Sequence, residues 1–233
     1  MRTEKRTSRR KLDNMLSRKE RERLLRRQEI IVAARDVFAE RGFNEATLEE
    51  IASKAEFGKG TLYGYFQNKS DLFEAVILEG LDDLLEMATR CCGDESLSLE
   101  NSYKQFAREL LSYLLNNRGF FILLMREVHR GIPRTTVTEH FPRIIGLLEG
   151  PLRRAMPRET SPSIDPAQIA FVFMTSIFTL FRSVALAGDS SCSFTHAREM
   201  TGTDADLDQI ISVLDLTFFS GIRSLTGLNA SAV

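Results

Sequence analysis

The sequence predicts an all-α protein with an N-terminal three-helix helix-turn-helix domain followed by a larger helical domain. Three observations carry that expectation. Apolar residues recur at helical spacing in successive blocks from about residue 27 to residue 225. No strand-like run is bounded by hairpin turns, and no internal repeat is visible. Between Thr47 and Lys69 two short helical patterns flank a tight turn and end in a strip of aromatic and basic residues.

The first helix is expected from about Arg27 to Arg41, where Ile30, Ala34, Val37, Phe38 and Arg41 share a face and Gly42 supplies the stop signal. Thr47 and Glu50 form a capping box that opens the second, and Leu48, Ile51, Ala52 and Ala55 give its apolar stripe. The third, Gly58 to Phe66, buries Leu62 and Phe66 four apart and leaves Lys59, Thr61, Tyr63 and Tyr65 outward or at the boundary. Its start is the natural probe of a major groove. Asn68 and Asp71 form another cap, which places Lys69 in the first turn of the next helix. Backbone N–H groups and an ammonium converge there, as a phosphate oxygen requires.

Taken together, Gln28 to Val76 resembles the DNA-binding domain of the TetR family of bacterial transcriptional regulators. The landmarks are Ala33-Ala34, Phe38, Gly42-Phe43, Thr47, Ile51-Ala52, Ala55, Lys59-Gly60-Thr61-Leu62-Tyr63, Tyr65-Phe66, Lys69 and Leu72. The resemblance implies that Thr47, Tyr65 and Lys69 clamp phosphates, while Lys59, Gly60, Thr61 and Tyr63 approach base edges or the adjacent backbone. Phosphate contacts orient such a domain and base contacts choose the sequence. From the residues alone two other readings stay open: Tyr63 as a core aromatic, and Lys59 and Lys69 as solvated surface charges. The sequence departs from the family pattern at two places. Glu56 stands where the turn commonly has glycine, and a left-handed backbone there costs on the order of 1 kcal/mol. Gly58 replaces a frequent serine and removes a side-chain cap. Gly64 costs roughly another 1 kcal/mol of helix propensity.

The net charge of −1 hides a split. Residues 1–69 carry 17 Lys+Arg and 11 Asp+Glu, leaving residues 70–233 with 14 and 21. Within the first part, residues 1–27 alone hold 12 basic and 4 acidic side chains. The expected organisation is therefore a basic arm over 1–27, a helix-turn-helix DNA-binding domain over 28–76, and a helical ligand-binding and dimerisation domain over 77–233. A basic arm suits an anionic polymer. Ser17 to Arg27 can extend the first helix, with Leu24 and Leu25 packing on the domain, while Met1 to Asn14 has too few apolar residues to order itself; the arm reads either as a mobile one that follows DNA phosphates or the minor groove, or as a solvated tail.

Three cysteines, two of them adjacent at Cys91 and Cys92, make neither a metal-ligand spacing nor a disulfide framework. No metal or cofactor is expected, and a reduced cytoplasm fits. The strongly charged first 27 residues do not resemble a signal peptide. The most lipid-like stretch, Ile169 to Phe181, is well short of the roughly 20 residues that span a bilayer, so no membrane partner is expected.

In the second domain helices are expected over Lys69 to Cys91, Leu99 to Asn116, Gly119 to Arg130, Val137 to Met156, Pro166 to Ala187 and Asp206 to Leu225. Phe106, Leu110, Tyr113, Phe121, Met125, His129, Phe141, Ile144, Phe171 and Met174 are candidates to line an apolar pocket. A solid core is the alternative for each. The family resemblance implies a small lipophilic effector held between these middle helices. The last helix places Leu207, Ile210, Ile211, Leu214, Phe218 and Ile222 on one face and Val213, Leu216 and Phe219 on another, more than one core uses. With the apolar helix before it, this points to a two-fold homodimer through Phe178, Arg182, Leu214, Phe218 and Ile222, as the resemblance also implies. Two recognition helices would then meet a roughly palindromic double-stranded DNA operator.

Catalysis is not expected. His129 and His140 have Glu127 and Glu139 nearby in sequence, but no acid or nucleophile stands at a productive helical spacing. The sequence leaves two classes open, a ligand-responsive DNA-binding repressor and a dimeric DNA-binding regulator controlled by a protein partner.

Overall fold

A computed structural model describes residues 17–121, 134–156, 165–185 and 204–226. All regular structure among them is helical, in two compact units that divide between Ile77 and Leu78.

The first unit is the helix-turn-helix domain. Helix α1 runs Arg18–Glu45, α2 Leu48–Lys54 and α3 Lys59–Tyr63; α4, Lys69–Cys92, gives its residues to Ile77 to this unit. Ser17 starts α1 with a full capping box to Glu20, so this helix begins well before Arg27. Leu24 and Leu25 are exposed and do not pack on the domain, because this part of α1 extends past the first buried residue, Ile30. Gly42, at φ 82°, kinks the helix, and helical hydrogen bonding resumes to Glu45. Ile30, Ala34, Val37 and Phe38 meet Ile51, Ala52, Leu62, Phe66 and Leu72 in the core. Phe38 and Phe73 meet edge-on at 5.0 Å, and Phe43 tilts against both.

The turn after α2 contains Glu56 at φ 59°. Its N–H donates to Ser53 and that of Phe57 to Ala52, the paired bonds that close a helix when the residue between them is left-handed. Helix α3 is shorter than the expected Gly58 to Phe66. Gly58 caps it without a side-chain bond, and Gly64 ends it with an N–H turned back to Gly60 and Thr61.

The second unit comprises the rest of α4, α5 (Leu99–Asn116), α6 (Arg134–Ala155), α7 (Pro166–Ala185) and a C-terminal run of α8 (Asp204–Leu214), a π-helical turn (Asp215–Phe219) and α9 (Ser220–Thr226). Most of the helix expected over Gly119 to Arg130 lies outside the described residues. Tyr103 of α5 is fully buried at the centre, its hydroxyl donating to the Leu148 carbonyl at 2.7 Å. Phe173 of α7 packs on Tyr103, Phe106 and Phe218.

The π turn changes which side of the C-terminal helix faces inward. In an unbroken α-helix Phe218, four residues after Leu214, would share its face. One extra residue in the turn advances the register, so Phe219 becomes the buried ring and Phe218 lies half-buried beside it. Phe219, expected on the other face, is thereby buried with Leu214, while Phe218 keeps its contact with Phe173 but is only half-buried.

Candidate nucleic-acid interface

The functional side chains sit on a short helix anchored from beneath. Leu62 and Phe66 are buried, which fixes the rotation of α3 and turns Lys59, Gly60 and Tyr63 to solvent, with Thr61 at the boundary. Tyr63 is 48% exposed, so it is not a core aromatic. No Cβ-sized obstruction lies within 4 Å of Gly58 or Gly60, so both present open backbone on this face.

Lys59 does not stand as a free surface charge. Its ammonium is ion-paired with Glu49 of α2 and lies 6.0 Å from the Tyr63 ring. The hydrogen bond to Glu49 holds the lysine above its ordinary pKa and the glutamate below its own. Thr47 caps α2, its hydroxyl accepting from the Glu50 N–H at 3.2 Å and donating to the Glu50 carboxylate at 3.0 Å.

Lys69 has an internal role that the sequence did not disclose. Its Nζ donates to the carbonyls of Asn44 and Ala46, both at 3.0 Å, and lies 4.9 Å over the Phe43 ring. These carbonyls close α1 after its kink, where main-chain acceptors lack helical partners. Two ammonium hydrogens are thus used within the fold. Asn68 caps α4 by accepting from the Asp71 N–H, while Asp71 accepts from Gln67. Tyr65 is half-buried between these groups in sequence.

In the second unit Phe106, Leu110, Ile144 and Met174 are fully buried and Phe121 nearly so. Tyr113 packs edge-on against Phe121, and Phe121 against Phe181. Phe141 meets Phe171, which is half-exposed at the surface. Among the candidate pocket residues Tyr113 thus packs on Phe121 and Phe141 on Phe171; Met125 and His129 lie outside the described residues. A cleft of roughly 680 Å³ opens elsewhere, between α4, α5 and Leu207, with Asp83, Arg90, Arg108, Glu109 and Tyr113 on its walls. Only Tyr113 is common to the two sets. Its hydroxyl donates to Asp83 at 2.8 Å. The imidazole of His140 lies 3.4 Å from Asp82, not against Glu139.

Of the candidate dimer contacts, Leu214 and Ile222 are buried within their own chain, Phe178 and Phe218 are half-buried, and Arg182 is exposed. The outward apolar residues are Val172 on α7, Val213 on α8 and Leu216 in the π turn, the last 77% exposed. No described helix is long and apolar enough to cross a membrane, and no cluster of metal-ligating side chains occurs among the described residues.

Comparison with known proteins places residues 30–76 in a family described as bacterial regulatory proteins, tetR family. The HTH-type transcriptional repressor BepR of Brucella suis is 45% identical over 51 residues, 22% of this chain and 24% of its own length. The HTH-type transcriptional activator FasR of Mycolicibacterium smegmatis is 38% identical over 60 residues, 26% and 27% of the two chains. The match thus spans about a quarter of the length of these relatives. Beyond it the likeness is one of fold. The transcriptional regulator FadR of Bacillus subtilis, solved in complex with stearoyl-CoA, aligns over 79% of this chain and 97% of its own at a TM-score of 0.61 and 19% identity. These relatives are transcriptional regulators, not enzymes. The chain thus carries, over residues 30–76, the helix-turn-helix domain of the bacterial regulatory proteins of the tetR family, followed by an all-helical second unit.

Proposed function

We propose that the protein is a homodimeric, sequence-specific transcriptional regulator that reads a palindromic operator and is released from it by a small lipophilic effector. The observation that carries the DNA reading is the anchoring of α3. Leu62 and Phe66 hold it from below while Thr61 and Tyr63 remain available to base edges, Lys59 joins them once DNA displaces Glu49, and Gly60 lets backbone come close. Thr47, Tyr65 and Lys69 flank it as phosphate contacts, Lys69 through the ammonium hydrogen its two carbonyl partners leave.

Dimerisation is supported by the outer faces of α7 and the C-terminal helices. Thr175, Ser176 and Thr179, and Ser212, Thr217 and Ser220, each turn the hydroxyl back to a carbonyl of their own helix. Donors so satisfied make no demand on a partner, and with Val172, Val213 and Leu216 they leave a low-polarity surface suited to a second copy. The sign of regulation does not follow from the DNA-binding domain, since one similar relative is a repressor and another an activator. Repression is our reading from the family.

For the effector, the aromatic groups between α5, α6 and α7 supply an apolar interior, and the FadR neighbour binds an acyl thioester. An effector would act only by binding two geometries unequally. The burial of Phe106, Leu110, Ile144 and Met174 favours a second reading, a dimeric DNA-binding regulator controlled by a protein partner.

The test is selection of bound fragments from a random DNA pool at physiological salt, followed by binding of the winning site with and without fatty acids, acyl-CoA and other lipophilic compounds. A palindromic site released by one compound is the expected result. Indifference to every compound would favour the protein partner, and the absence of any enriched site would overturn the DNA reading.

A further inference from the structure

At 100° per residue, Lys19, Arg23, Arg26 and Arg27 all fall within about 60° of Ile30 around the α1 axis. Ile30 lies on the face that enters the domain core with Ala34 and Val37. The same face of one continuous helix is therefore apolar inside the domain and basic where the helix leaves it. From Arg18 to Ile30 the projection is about 18 Å at 1.5 Å per residue. No residue from 17 to 29 is buried.

The charges on this face are not consumed by the fold. Lys19, Arg23 and Arg26 are exposed and have no hydrogen-bond or ion-pair partner among the described residues. The two acids of the segment are occupied, Glu20 in the capping box with Ser17 and Glu22 by Arg18 at 2.8 Å. Six Lys and Arg against two Glu between Arg18 and Arg27 leave a surplus of four positive charges. The sequence gives no apolar reason for this stretch to be ordered; the capping box and continuity with the buried part of α1 supply one.

Arg27 fixes the direction of the stripe. Its guanidinium lies 5.2 Å over the ring of Phe66, in the strip that joins α3 to α4. Tyr65 and Lys69 flank this ring in sequence. The basic face thus emerges beside the segment that carries two of the proposed phosphate contacts and points to the same side of α1.

We propose that residues 18–27 form a rigid helical overhang that grips the DNA backbone beside the recognition site through Lys19, Arg23 and Arg26. The inference rests on the DNA reading above and adds a second contact region to it. The overhang carries phosphate affinity and no base preference, since its side chains are long cations on a helix that no part of the fold inserts into a groove. Because the helix is already formed, binding does not carry the ordering cost of a disordered arm.

The experiment compares the full chain with its K19Q/R23Q/R26Q variant. Glutamine keeps helix propensity, and none of the three side chains has a partner to lose among the described residues, so circular dichroism and thermal unfolding should match the wild type. The probes are the site selected from the random pool, extended by ten base pairs on each side, and an unrelated duplex of equal length, each titrated from 50 to 200 mM salt. Three lost phosphate contacts lower the salt slope by about 3, so the wild type loses about 40-fold more affinity than the variant across that range. The loss at low salt should be equal on both duplexes. Equal slopes for the two proteins, with the selected site still bound, would overturn the overhang and leave the DNA reading standing. A loss confined to the selected site would also overturn it, by assigning these residues to base recognition. If the wild type bound neither duplex, the DNA reading and the overhang would fall together.

Discussion

Glu49 of α2 is ion-paired with Lys59, the first residue of α3. An acid thus occupies the ammonium proposed to read bases, and on that proposal DNA must displace it. Both side chains are more than half exposed, so exchange with solvent is easy and the pair adds little to stability. Glu49→Gln frees Lys59 and removes a negative charge from the surface that faces phosphates. DNA affinity should rise a few-fold on all sequences, with the gain shrinking at high salt. Titration of the selected site and of an unrelated duplex checks this; unchanged affinity would place Lys59 away from DNA.

Glu56 holds a left-handed backbone at φ 59° between the second and third helices. The conformation costs a non-glycine residue about 1–2 kcal/mol, whereas glycine loses roughly 0.5–1 kcal/mol more on ordering than a residue with a side chain. The first effect is the larger. Glu56→Gly should stabilise the protein by about 0.5–1 kcal/mol in urea unfolding, without moving the Ser53 and Ala52 bonds that close α2. A destabilised variant would mean that the Glu56 side chain contributes more than its backbone loses.

The parts of this fold that were legible are those written in local spacing. The Thr47–Glu50 capping box and the Leu62–Phe66 anchor each depend on neighbours within five positions, whereas the left-handed residue at Glu56 follows only from the family resemblance, which puts glycine there. The pairing of Lys69 with carbonyls 23 and 25 residues earlier is tertiary, and no local pattern marks it. The π turn was illegible for a different reason. Periodicity assumes a constant advance per residue, and a single i to i+5 step makes Phe219 take the place expected of Phe218. In the second unit spacing showed which residues turn inward, but not whether they meet one another or a ligand. Phe106, Ile144 and Met174 are buried, while the cleft beside Tyr113 draws on three helices distant in sequence.

Cys91 and Cys92 close α4, 0% and 2% exposed. Burial pushes both thiols up to about 12, leaving almost no thiolate at neutral pH. That removes the chemical basis for sensing oxidation at these two sites. Treatment of the native protein with iodoacetamide at pH 7.5 should leave both unmodified by peptide mapping, and labelling should appear only in denaturant. Native labelling at either site would indicate local opening of the end of α4.

Four charges join α5 to the C-terminal helices. Lys104 lies 2.7 Å from Glu100 and 2.8 Å from Asp215, and Arg223 reaches the same two carboxylates at 3.1 and 3.4 Å. Asp215 opens the π turn, so the network ties the register of that turn to α5. Hydrogen bonds from Lys104 hold both carboxyls below their ordinary values of 4.5 and 3.8. A lowered folded pKa contributes stability that is present above the unfolded value and lost as pH falls through the folded one. Lys104→Met should therefore destabilise the protein at pH 7 by no more than about 1 kcal/mol, as befits a network about one-third exposed. The difference from wild type should shrink as pH drops below about 4.5, where protonation weakens the wild-type contacts as well. Urea unfolding of both proteins between pH 7 and pH 3 measures it. A difference that stayed constant to pH 3 would assign the effect to the packing of the Lys104 stem near Phe219, 5.5 Å from its ammonium, and not to charge.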